Sequence, residues 1–309
     1  MAAVSTDRVD KAWQSKGLKD YSTEAILGTL GHYGVQVSEA EFRQLAEKQY
    51  PTGIAQGWMP NWKGKGQFAP FPFAAAGELW RRWHPERLAP YELSESLAQL
   101  MGALGQLLQG TQQAPVDSAF QRINEVRGRI PVTEKGEPDV NFMQEALRVF
   151  DERAARAFDD LAEMLARAGH TGHAEAFSDL EEFLLPDRRG VSKPIVRAAR
   201  GEREPALEDL QKVATDGTRS PLSRVLAVDG LLHIGANDKV ISVGRPLLEE
   251  AERTQDWHLA LDLLARLEHS YKQLGERSSL TALAQDRARI EAAHDAAHPG
   301  HRRHQHQHG

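Results

Sequence analysis

Between Asn141 and Ala168 the apolar residues recur in steps of three and four: Met143, Leu147, Phe150, Ala154, Phe158, Leu161, Leu165 and Ala168. That period places one continuous apolar stripe on a single helix face. The other face carries charge, with Glu152 before Arg156 and Glu163 before Arg167 in the favoured i, i+4 order. Asn141 and Gln144 have the spacing of a capping box, and Gly169 can close the far end. The pattern predicts one helix over 141–168, roughly 42 Å long at ~1.5 Å per residue. A helix so one-sided needs other elements laid against it, so it reads as a spine between the two halves of the chain.

Before the spine the pattern is broken more often. Trp13 is the only evident anchor in the polar first twenty residues. Thr23 can cap a short helix that ends at the glycines of GHYG, and Ser38 with Glu41 forms a second capping-box signature. The stretch from Pro51 to Pro72 holds four prolines and four glycines, a composition that predicts a loop rather than a regular helix. Trp58, Met59, Trp62, Phe68 and Phe71 make that loop too aromatic for a disordered linker. Helical spacing returns over 73–83 and again from Leu93 to Leu108. Residues 111–138, with recurrent Gly and Pro around a short helix at Phe120, Ile123 and Val126, read as a linker.

After the spine, GHTGH turns the chain into a partner helix through Ala174, Phe177, Leu180 and Leu184, an antiparallel hairpin. From Val191 onward, helical segments alternate with short turns. Ser220-Pro221 is a capping residue followed by proline at the first helical position. Gly201, Gly235 and Gly275 each separate two helices, at spacings of 34 and 40 residues. Leu267, Tyr271, Leu274 and Gly275 stand where a tetratricopeptide repeat has Leu, Tyr, Leu and Gly; around Gly235 only Leu231 and the glycine agree. Val240 and Leu280 occupy positions where that family has alanine, and Pro246 interrupts the pattern. In these positions residues 191–293 resemble the tetratricopeptide- and HEAT-type α-helical repeats, which implies stacked helical hairpins and a surface for a partner protein. The fold class expected is therefore all-α: a helical domain over 1–110 with its aromatic loop at 51–72, a linker over 111–138, hairpins stacked as a short α-solenoid over 139–293, and a disordered His-rich tail over 294–309.

Composition narrows the function. The chain has 309 residues, a net charge of −6 and no cysteine. Disulfides, thiolate metal sites and cysteine nucleophiles are excluded together, and the absence fits a reducing compartment. The acidic balance speaks against nucleic acid as a partner. No stretch has the apolar length of a membrane span and no signal peptide is evident, so a cytoplasmic protein is expected.

The aromatic loop interleaves Trp58, Trp62 and Phe68 with Lys63 and Lys65. Three readings stay open for it: rings stapling the loop to the N-terminal helices, a partner-binding loop, or a nucleotide or single-strand site. Trp80 and Trp83 join Trp58 and Trp62 in a second hypothesis, an enzyme or ligand-binding protein with a tryptophan-lined pocket. Six of the thirteen histidines fall in the last sixteen residues, which raises metal handling by the tail as a third. Glu291 and His294 form an E-x-x-H without the second copy that a di-iron bundle needs, and the His170/His173 turn reads as structural. No Walker A, G-x-S-x-G or H-E-x-x-H occurs. No catalytic residue, metal site or cofactor is thus expected. The first expectation is a non-catalytic interaction protein, with Arg224, Asp229, His233, His258 and Arg266 on the repeat surface.

Overall fold

The computed structural model describes residues 8–111, 115–148, 150 and 152–298. Among the described residues there is no β-strand, only an isolated bridge between Val132 and Pro138. Chain contacts divide the molecule into two compact units, Met1–Arg156 and Ala157–Gly309.

The first unit holds α1 (Trp13–Lys16), α2 (Thr23–His32), α3 (Glu39–Ala46), α4 (Pro51–Trp58), α5 (Phe71–Trp83), α6 (Pro90–Leu108), α7 (Val116–Arg127) and α8 (Val140–Leu147). The N-cap of α2 is Ser22 rather than Thr23, and Ser38 with Glu41 does form the capping box of α3. Trp13 is buried as expected, but Val9 and Leu18 are buried with it. The first part of the expected aromatic loop is a helix. Pro51 sits at the first position of α4, where its missing N–H would have had no helical partner. Burial of Ile54, Ala55 and Trp58 then carries the helix across Gly53 and Gly57. Two short 3-10 turns, Met59–Asn61 and Gly66–Phe68, lead to α5. The segment is pinned where Lys63 N–H donates to the Tyr33 carbonyl at 2.9 Å. Beside it Gly34 has φ +101, and a Cβ there would lie 2.6 Å from the Asn61 carbonyl oxygen, so only glycine fits.

The expected spine is two helices, α8 and α9 (Glu152–Arg167). Asp139, not Asn141, caps α8 by accepting from Phe142 N–H. The reason for the break is visible in which residues are buried. Phe142, Met143 and Ala146 form the buried face of α8, whereas α9 buries Phe158, Leu161, Ala162, Leu165 and Ala166. Carried back along one helix, the second face would meet Leu147 rather than Ala146, about 100° away. The stripes are out of phase, and a single rod could not bury both.

The second unit contains the rest of α9 from Ala157, then α10 (Thr171–Leu184), α11 (Ser192–Ala199), α12 (Arg203–Thr215), α13 (Pro221–His233), α14 (Asn237–Thr254), α15 (Trp257–Leu274) and α16 (Arg277–Ala297). From α10 to α16 each helix packs on the next, and α11, α12 and α13 also make lesser contacts with the helix after that. Leu210, Val228, Leu231, Val240, Leu263, Leu264 and Leu267 form its core. Gly201, Gly235 and Gly275 all have positive φ, the left-handed residue expected between paired helices. Pro246 does not stop α14. The helix α16 runs through His294 to Ala297, and the rest of the expected tail, from Pro299, lies outside the described residues.

Candidate functional site: an acid-lined cavity

In α10 the apolar residues Phe177, Leu180 and Leu184 leave room on their own face for Glu181, whose side chain is only 1% exposed. A carboxylate so placed requires a partner. The turn after the helix supplies it. Pro186 begins a 3-10 turn through Arg188, and Asp187 is held by the hydroxyls of Ser220 and Ser223 at the start of α13. Arg188 is thereby aimed back, donating to Glu181 and to Asp159 of α9, each at 2.7 Å.

Around this fork lies a cavity of about 260 Å³ lined by α9, α10, α11 and α13. Five carboxylates face it, from Asp159, Asp160, Glu163, Glu181 and Asp229, against Arg188 and His233. Glu163, although written in the sequence as half of a solvated i, i+4 pair, has a side chain only 10% exposed and contacts both Arg167 and His233. Asp229 is gripped by both arms of Arg266 at 2.6 and 2.7 Å. Burial pushes the Glu181 carboxyl up to about 7, with Arg188 pulling the other way, and burial likewise raises Asp159. The cavity therefore offers excess negative charge in a partly dry concavity, poised to accept a cation or hydrogen-bond donors.

The residues singled out from the sequence scatter. Trp80 is fully buried, and Trp58 and Trp83 nearly so, in the core of the first unit. Trp83 meets Phe42 edge-on at 5.2 Å, and Trp80 carries the Arg87 guanidinium on its face at 4.7 Å. Trp62 is half-buried, stacked on Phe71 at 5.9 Å and donating to the Phe68 carbonyl at 3.1 Å. Phe68 is also half-buried, while Lys63 and Lys65 are exposed. Of the five repeat-surface positions, Asp229 and His233 line the cavity and Arg266 holds Asp229. Arg224 is buried instead, bound to the Ala214 carbonyl and to Glu250. Glu181, Asp159, Asp160 and Arg188 went unmarked as site residues in the sequence, and Glu163 was read only as half of an ion pair with Arg167. The one local signal was a glutamate inside the apolar stripe of α10.

No family model, curated protein or solved structure matches the chain.

Proposed function

We propose that this chain is a non-catalytic binding protein. Its second unit would act as a short α-solenoid of the tetratricopeptide or HEAT kind, and the acid-lined cavity would receive a lysine or arginine side chain of a partner protein. The supporting observation is the cavity itself, five carboxylates lining it with one arginine and one histidine, in a unit where from α10 to α16 each helix packs on the next. Such nearest-neighbour packing is how repeat proteins hold a continuous binding surface. The carboxylates deepest in the site are already engaged, Glu181 by Arg188 and Glu163 by His233, which suits recognition better than proton transfer. Asp159 and Asp229, although bound to Arg188 and Arg266, remain about 40% exposed. A tryptophan-lined ligand pocket in the first unit is the weaker alternative, because Trp58, Trp80 and Trp83 pack into its core.

The test is a peptide array in which lysine and arginine content varies, read by fluorescence anisotropy on the hits. Basic peptides should bind the wild-type chain, more weakly as salt rises toward about 0.5 M. Replacing Asp159 and Asp160 by Asn should weaken them about tenfold or more. Failure of every basic peptide to bind, or affinities indifferent to both salt and the paired substitution, would overturn the reading.

A further inference from the structure

Helices α15 and α16 pack on one another, and their pairing brings the first turn of α15 beside the last turn of α16. His258 is the second residue of α15. His294 and His298 stand four apart on α16 and its C-cap, hence on one face. Their rings gather closely, with centroids 4.7 Å apart for His258 and His294, 4.8 Å for His294 and His298, and 5.4 Å for His258 and His298. One ring nitrogen from each lies within 4.8 Å of the other two.

Two further observations separate this cluster from a chance stack of imidazoles. The Nε2 of His294 is buried with no hydrogen-bond partner. A polar atom sealed from water and left bare is costly unless something binds it. The tautomers also favour a ligand. Nδ1 of His298 lies 3.1 Å from the His294 carbonyl oxygen, which can only accept, so Nδ1 carries the proton and Nε2 keeps its lone pair. Nδ1 of His294 lies 3.7 Å from the Asp295 carboxylate, longer than a hydrogen bond, which leaves its Nε2 as the ring atom turned into the cluster without a partner.

The geometry points to a three-histidine site for a divalent first-row transition metal, Zn²⁺ in particular, that clasps the end of α16 to the start of α15. Bonds of ~2.0–2.1 Å in a tetrahedron place ligand nitrogens about 3.4 Å apart, within reach of small side-chain rotations, and water completes the fourth position. The absence of carboxylate or carbonyl ligands among the three disfavours Mg²⁺ and Ca²⁺. The proposal is independent of the acidic cavity.

The histidines at 301, 304, 306 and 308 follow closely in sequence and bind metal of their own accord, so the test begins by changing all four to Gln in the full chain. Zn²⁺ titrated calorimetrically into this protein should bind at one equivalent and raise the melting temperature, while Mg²⁺ does neither. Co²⁺ should give the visible absorption of a tetrahedral ion. His258 is exposed, so His258→Ala should leave the circular dichroism unchanged and weaken Zn²⁺ at least about tenfold. His298→Ala should do the same. A four-Gln chain that takes up no Zn²⁺, or one whose affinity is indifferent to His258→Ala, overturns the site.

Discussion

A carboxyl group nearly sealed from water keeps its proton to a higher pH, and Glu181 is such a group, with its ionisation moved from about 4.5 to about 7 chiefly by burial. Because the folded chain then holds the proton more tightly than the unfolded chain, Glu181 contributes stability below about pH 4.5. That contribution is lost as pH rises through about 7. Glu181→Gln keeps the shape and cannot ionise. The gap in melting temperature between the variant and wild type should therefore shift in favour of the variant from about pH 5 to about pH 8, measured by thermal unfolding in matched buffers. The same residue shows how little of the site could be read beforehand. A single glutamate within the apolar stripe of α10 was legible, but its partners Arg188 and Asp159 were not, since only packing brings three separate segments together.

Among the elements, local chemistry was a good guide where one residue decides a helix end and a poor one where burial decides. Ser38, Glu41, Ser220 and Pro221 perform the capping their spacing suggested. The glycines and proline of α4 suggested a loop, yet three buried side chains outweigh them. The rod expected over 141–168 failed for a subtler reason, a one-residue phase slip between two apolar faces that each look continuous by eye. The link between α2 and α5 offers a direct test of how side chains hold these short helices together. Arg82 of α5 donates to the carbonyls of Leu18, Lys19 and Tyr21 and to the Thr23 hydroxyl, while Glu78 holds its Nε at 2.7 Å. Arg82→Ala should cost about 2–3 kcal/mol in urea unfolding, from carbonyls left without a donor. Lys should recover only part of it, because one ammonium cannot span the same set.

At the scale of the molecule, helical class was legible because helical periodicity is local, and among the described residues no helix is long and apolar enough to cross a membrane. Each unit has its own apolar cluster: Phe42, Phe71 and Trp80 in the first, Leu263, Leu264 and Leu267 in the second. Leu264→Ala should destabilise the second unit by about 2–5 kcal/mol. Scanning calorimetry should show its transition moving down while that of the first unit stays in place. The two units also differ in how far along the chain their contacts reach. In the first, the Tyr50 hydroxyl meets the Asp139 carboxylate and Thr52 N–H donates to Glu145, across 89 and 93 positions. At 5–20 residues added per second, a ribosome needs about 5 to 20 seconds to make the segment between such partners. During that interval Tyr50 and Thr52 wait for their partners beside and within α8, whereas from α10 to α16 each helix meets the next as it emerges. Chaperones acting on this protein during synthesis would therefore find their work in its first half.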